Sequence, residues 1–81
     1  MLDITEEATA VLERAYDAAA RFNPDARVRL YRTAGQVQTA FADAPEPGDS
    51  VVEHEGLTIF VEDGIAGTLD VSGQHDHLVV R

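Results

Sequence analysis

The sequence predicts an α+β fold, in which one N-terminal amphipathic helix is followed by five to six short, mainly antiparallel strands that form a small sheet or sandwich. Two observations predict it. Apolar residues recur at spacings of three and four over the first 22 residues, and after Pro24 they recur at every second residue. The pattern contains no βαβ periodicity, and 81 residues suffice for one domain, so residues 1–81 are predicted to form a single unit.

The N-terminal helix is predicted over about residues 5–22. Thr5 is a suitable N-cap, since its hydroxyl can accept a backbone N–H of the first turn, and Asn23-Pro24 interrupts the helical pattern. The apolar residues that form one stripe along this helix are Ala8, Val11, Leu12, Ala15, Ala19 and Phe22. The helix is therefore expected to pack against the sheet by this stripe.

Strands are predicted wherever apolar residues alternate with polar ones, beginning with Val28 and Leu30 and continuing with Val37, Thr39 and Phe41. Turn residues separate the strands, because glycine adopts the positive φ of tight hairpins and proline cannot donate to a strand ladder. The predicted breaks are Ala34-Gly35, the loop DAPEPGDS at residues 43–50, Glu55-Gly56 and Ser72-Gly73.

The charge of the chain limits the classes of partner. Fifteen acidic residues and six basic ones give a formal net charge of −9, which repels phosphate backbones and anionic lipid surfaces. We therefore expect no nucleic-acid and no membrane partner, and no apolar run approaches the roughly 20 residues that span a bilayer. Acidic residues stand where a signal peptide would carry basic ones, so a cytoplasmic protein is expected.

Four segments, in this order, resemble the HesB/IscA family of A-type iron-sulfur cluster carriers: ITEEA, RTAGQ, DAPEPGDSVVEHEGLTIFVEDG and TLDV. The resemblance covers residues 4 to about 71. It implies the HesB/IscA-like fold and a place near iron-sulfur cluster assembly, and it implies self-association, since A-type carriers commonly form dimers and tetramers.

The resemblance breaks at the cluster ligands. The family motif reads Arg-Thr-X-Gly-Cys; Arg32, Thr33 and Gly35 match it, but Gln36 stands where the cysteine is expected. The family's Cys-Gly-Cys pair has no counterpart here, and the sequence contains no cysteine. Iron-sulfur clusters are held mainly by Cys thiolates, so we expect no cofactor and an inherited fold without the carrier chemistry.

Histidines are the candidate metal ligands. His75 and His77 stand two apart on a predicted strand and would project from one face, with Asp76 or His54 assisting from elsewhere. The alternative is that they are exposed polar residues of a terminal strand, since closed metal sites usually need three or four protein ligands.

The other charged clusters have ordinary interpretations. Arg27, Arg29 and Arg32 could meet an acidic partner or a second subunit, or could be solvated residues paired with carboxylates. The acidic residues of the loop region lack the spacing of a calcium-binding loop and are expected to be solvated. They are Asp43, Glu46, Asp49, Glu53 and Glu55.

The leading functional hypothesis is a non-enzymatic, cysteine-free HesB/IscA-like domain with a structural, regulatory or protein-binding role. The sequence contains neither a nucleophile elbow nor a phosphate-binding glycine loop, so no motif favours catalysis. The alternative is a metal-binding accessory of iron-sulfur cluster biogenesis that uses histidines and intersubunit ligands. A homodimer is expected through an exposed strand edge or sheet face, because a small sheet leaves unpaired edges.

Overall fold

A computed structural model describes residues 2–73 and 77–81. One helix and seven strands are present in these residues, so the predicted α+β class is confirmed. The elements in chain order are β1 (Leu2–Ile4), α1 (Glu6–Ala20), β2 (Arg27–Thr33), β3 (Gln36–Ala42), β4 (Ser50–His54), β5 (Leu57–Val61), β6 (Gly67–Ser72) and β7 (His77–Val80).

The strands form two mixed sheets. The larger has the order β3-β2-β5-β4, and the smaller has the order β1-β6-β7. Three pairings are antiparallel, but β1 pairs with β6 and β2 pairs with β5 in parallel. A strand also precedes the helix, which the sequence pattern did not indicate, because three residues are too short to show alternation.

The helix begins as predicted and ends earlier. Thr5 is the N-cap, and its hydroxyl accepts the backbone N–H of Ala8 at 3.2 Å. The helix ends at Ala20, and Phe22 turns away, with its backbone N–H bonded to the Ala19 carbonyl three residues back. Phe22 is therefore 91% exposed, and its predicted place in the buried stripe is wrong.

Two hairpins have two-residue loops at the predicted places. Ala34-Gly35 joins β2 to β3 with φ of 52° and 78°, and Glu55-Gly56 joins β4 to β5 with φ of 53° and 80°. Positive φ at both central positions defines the type I′ turn, whose twist matches that of paired strands. The predicted loop after β3 occupies residues 43–49 and connects to β4.

One hydrophobic core lies between the helix and both sheets. Leu12 of the helix, Leu30 and Ile59 of the larger sheet and Leu69 of the smaller sheet are fully buried. Leu30 and Ile59 belong to the central strands β2 and β5, so the parallel pairing lies at the middle of this core. A molecule this small depends on such residues, since truncating a buried Leu costs about 2–5 kcal/mol.

An ion pair holds the loop of residues 43–49 on the outer face of the larger sheet. Arg29 donates from Nε and Nη2 to the Asp49 carboxylate at 2.8 and 2.9 Å, and the backbone N–H of Glu46 donates to the same carboxylate at 2.9 Å. The Asp49 side chain is 1% exposed. The expectation that Asp49 is a solvated loop residue is therefore wrong, whereas the expected pairing of Arg29 with a carboxylate is confirmed.

A second carboxylate joins the helix to the smaller sheet. Asp70 of β6 accepts from the Thr5 hydroxyl at 3.1 Å, from the backbone N–H of Val71 at 2.8 Å and from Arg81 at 3.1 Å. The pKa of Asp70 is lowered, first by the Val71 N–H and then by Thr5 and Arg81. The residue that caps the helix is thus itself held by the sheet.

Asp49 should make stability depend on pH. Its pKa is lowered, first by the hydrogen bond from Arg29 and also by the backbone N–H of Glu46. A carboxyl group whose pKa is lower in the folded than in the unfolded chain stabilises the folded chain at pH values above its unfolded pKa of about 3.9. This contribution is lost as the pH falls through the folded pKa. Asp49→Asn should therefore lower the free energy of unfolding at neutral pH, and the difference from wild type should shrink in strong acid.

Urea denaturation at pH 7 and near pH 2 measures this difference. The control is Asp43→Asn, which makes the same change at an exposed position of the same loop. Equal effects of the two substitutions at neutral pH, or a difference that persists in acid, would contradict the role assigned to Asp49.

Candidate functional site

A cleft lies between the β2–β3 hairpin and β7, and its volume is about 370 Å³. It brings together Gln36, which stands at the expected cysteine position, and His77, which is a predicted metal ligand. Gln36 begins β3 and His77 begins β7, and both are exposed. The residues lining the cleft are Arg32, Gly35, Gln36, Val37, Ile65, His77, Leu78, Val79 and Val80.

Arg32 provides the positive charge of this cleft. It lies near the end of β2, in register with Val37 of β3. Within residues 2–73 and 77–81, no carboxylate lies within 4.0 Å of its guanidinium, and Glu62 instead accepts its backbone N–H at 3.0 Å. The guanidinium Nη2 lies close to Gly64, 3.5 Å from the position that a Cβ atom would take there.

The inner wall of the cleft is apolar. Val37, Ile65 and Leu78 are buried and belong to the common core. None of the described residues that line the cleft is acidic. The chain has a net charge of −9, but the described lining of the cleft combines the positively charged Arg32 with an apolar surface.

The polar groups of the cleft differ from the thiolate ligands that hold an iron-sulfur cluster. Its polar lining residues are Gln36, His77 and Arg32, whose side chains end in a neutral amide, an imidazole and a guanidinium. None of these is a thiolate, and a guanidinium has five N–H donors and no acceptor with which to bind a metal ion. The arrangement can donate hydrogen bonds to an acceptor, and the positive charge of Arg32 disfavours a bound cation.

His54, the third candidate ligand, has a structural contact elsewhere. Its Nε2 lies 2.8 Å from the hydroxyl of Thr9, which is buried on the helix. Thr9 donates its single hydroxyl proton to the Thr5 carbonyl at 2.8 Å, so His54 must donate from Nε2. This bond ties the end of β4 to the first turn of α1 and occupies one of the two ring nitrogens.

The predicted histidine site gains no support from the described residues. His77 lines the cleft, His54 lines a different pocket beside Thr9, and His75 lies outside the described residues. Among residues 2–73 and 77–81, no three His, Asp or Glu side chains are grouped so as to hold a metal ion. The metal-binding alternative stays a prediction that depends on His75, on Asp76 or on a second subunit.

A second surface is an apolar groove at the other end of β3. It has a volume of about 450 Å³ and lies between the end of α1 and the end of β3. Phe22 is 91% exposed and Phe41 is 52% exposed, although Phe41 lies in register with the buried Val28. The core therefore covers Val28 but leaves Phe41 of the neighbouring edge strand half exposed.

The three arginines of β2 have separate environments. Arg29 pairs with Asp49, and Arg27 lies 5.9 Å from the centre of the Tyr16 ring and donates to the Pro24 and Ala26 carbonyls. Arg32 faces the cleft. Sequence reasoning grouped these residues together; alternation along the strand separates Arg29 from Arg32, since residues three apart lie on opposite faces.

Comparisons with known proteins do not assign the chain to a family. No protein-family model matches the sequence, and no curated protein matches it. In the part of the chain that the structure describes, no helix is long and apolar enough to cross a membrane. The resemblance to the HesB/IscA family therefore remains a prediction from motif order.

The histidines should differ in their effect on stability. His54→Ala removes the hydrogen bond to buried Thr9 and should lower the free energy of unfolding by about 1 kcal/mol. The double variant His75→Ala/His77→Ala should change it by less than about 0.5 kcal/mol, because the sequence predicts both histidines at exposed positions, where substitutions have small effects. Urea denaturation in the presence of a chelator measures both.

Zinc titration of the same proteins tests the metal-binding alternative. We expect no saturable binding in the micromolar range. Micromolar zinc affinity in the wild type that disappears in the double variant would favour the metal-binding hypothesis, and a large loss of stability in that variant would contradict the exposed positions that the sequence predicts for these histidines.

Proposed function

We propose that this chain is a non-enzymatic, cysteine-free HesB/IscA-like domain of the cytoplasm that acts by protein binding, and that one of its partners is a second copy of itself. The carrying observation is the edge strand β3, which has seven residues, all uncharged, and no proline. Among residues 2–73 and 77–81, no strand pairs with its outer edge in the larger sheet, whose order is β3-β2-β5-β4.

Edge strands usually carry features that prevent pairing with another chain, such as short length, charge or proline. The other described edges have them. β1 has three residues and includes Asp3, β7 has four, and β4 has five and includes Glu53. Strand β3 is the longest of the four and lacks such protection, which favours it as the interface.

A two-fold axis at Thr39 would pair β3 with its copy in antiparallel fashion. Thr39 would lie opposite the partner's Thr39, and Val37 would lie opposite the partner's Phe41, so that an apolar row would form on one face. A two-fold interface requires such a self-complementary surface. The sequence QVQTAFA provides it, because Val37 and Phe41 lie symmetrically about Thr39.

The groove beside Phe22 and Phe41 supports the same interface. Phe41 belongs to β3, so an added strand along this edge would extend the sheet directly beside the exposed ring. Burying apolar surface contributes roughly 25 cal/mol per Å², and large aromatic residues are frequent anchors of protein interfaces. The groove and the edge are thus parts of one contact surface.

Net charge opposes self-association. Two chains of charge −9 repel each other, and salt screens this repulsion over about 8 Å at physiological ionic strength. The dimer should therefore weaken as salt is lowered. Because β3 has no charged residue, the approach of the strands themselves adds no like-charge contact.

Thr39→Lys should disrupt the dimer. It places two ammonium groups opposite each other at the two-fold axis, and like charges directly opposite destabilise strand pairs. We expect the dimer dissociation constant to rise about tenfold or more, which corresponds to about 1.4 kcal/mol. Sedimentation velocity across a concentration and salt series measures it.

The matched control is Val51→Lys, which adds the same charge at the exposed edge strand β4. It should leave the dissociation constant close to that of the wild type. A wild-type protein that is monomeric at high concentration in both low and high salt would remove the self-association proposal, as would equal effects of the two substitutions.

The absence of carrier chemistry has a direct test. Anaerobic reconstitution with iron and sulfide should leave the protein colourless after desalting, because Gln36 and the rest of this sequence offer no thiolate ligand. Visible absorption and iron and sulfide analysis measure the outcome, with protein carried through the procedure without iron as the control. A stable charge-transfer spectrum with stoichiometric iron and sulfide would show that the proposal is wrong.

A further inference from the structure

We propose that the cleft of Arg32, Gln36 and His77 binds a carboxylate that carries a small apolar group. This site goes beyond the proposed self-association and does not depend on it. The cleft has a volume of about 370 Å³, which is at the lower end of the range of roughly 300–1,000 Å³ for small-molecule sites.

The charge of the ligand follows from Arg32. Arg29 and Arg81 each lie within 4.0 Å of a carboxylate, whereas no carboxylate of the described residues lies so close to Arg32. Among the described residues that line the cleft, none is acidic, and the Glu62 carboxylate contacts the backbone N–H of Arg32. In this strongly acidic chain, an anion is the ligand that such a cleft favours.

The shape of the ligand follows from the groups around it. The guanidinium of Arg32 is a planar fork that matches the two oxygens of a carboxylate. The cleft is also lined by Val37, Ile65 and Leu78, which are buried. A ligand that places an anionic head at the mouth can therefore bury an aliphatic group against this floor.

The apolar floor distinguishes a carboxylate from inorganic phosphate. Phosphate presents polar oxygens on every side, and those that face Ile65 and Leu78 would lose water without gaining a donor. A branched aliphatic acid presents oxygens on one side only. Two sources have this chemistry: a free short-chain acid, and the terminal residue of a partner polypeptide that ends in Leu or Val.

The test is NMR titration of ¹⁵N-labelled protein with isovalerate, which has a carboxylate and a branched aliphatic group. We expect saturable shifts confined to the cleft, at residues such as Gly35, Gln36 and Val79. Isovaleramide has the same shape without the charge and should bind at least tenfold more weakly, as should inorganic phosphate. Equal binding of isovalerate and either compound would overturn the proposal, and so would the absence of saturable shifts.

Two variants with the same charge separate the cleft from the general field of the protein. Arg32→Met should weaken isovalerate binding at least tenfold, whereas Arg21→Met, at an exposed position after the helix, should leave it unchanged. Equal weakening by both would overturn the proposal. Because isovaleramide tests the charge requirement on the ligand, the proposal stays testable even if Arg32→Met does not fold.

The two sources are separated with a peptide. Acetyl-Ala-Ala-Leu with a free carboxyl terminus is compared with the same peptide as its C-terminal amide. Tighter binding of the free peptide than of isovalerate assigns the site to a polypeptide terminus, and weaker binding assigns it to a free acid; both support a carboxylate site. Measurable binding of both peptides with equal affinity would overturn it.

Discussion

The parallel pairing of β2 with β5 is the contact on which the rest of the molecule depends. It places Leu30 and Ile59, both fully buried, at the centre of the larger sheet and beneath the helix. Because side chains alternate along a strand, the same β2 places Arg29 on the outer face, where it holds the loop through Asp49. Arg32 lies two residues beyond Leu30, the last residue of β2 that pairs with β5, and it lines the cleft. β3, the hairpin partner of β2, is left as an edge.

Sequence reasoning succeeded where the cause is local. The Thr5 cap and the turns at Ala34-Gly35 and Glu55-Gly56 depend on a few neighbouring residues, and the structure confirms them. It failed where a distant segment decides. β1 exists because it pairs with β6, about 65 residues later, and the Asp49 side chain is 1% exposed because it pairs with Arg29, 20 residues earlier.

The candidate site shows the same division. Motif order singled out Gln36 as the residue at the expected cysteine position, and strand alternation singled out His77, but nothing in the sequence placed the two in one cleft. That placement requires β7 of the smaller sheet to lie against β3 of the larger sheet, through Leu78 and Val37 in the common core. The absence of a carboxylate partner for Arg32 among the described residues was also invisible, because all three arginines of β2 looked alike in sequence.

The two proposed surfaces lie at opposite ends of one strand, and this has a thermodynamic consequence. Gln36 and Val37 begin β3 and line the cleft, whereas Phe41 and Ala42 end it and line the groove. In the proposed antiparallel dimer, the cleft of one copy would therefore lie beside the groove of the other. Suppose that a ligand binds the cleft with different affinities in the monomer and in the dimer. The ligand would then change the dimerisation constant by the same factor by which dimerisation changes the affinity for the ligand, since coupling between two binding events is reciprocal. Strand β3 has no charged residue and suits such coupling, because neither the ligand nor the second copy would have to break an ion pair of this strand.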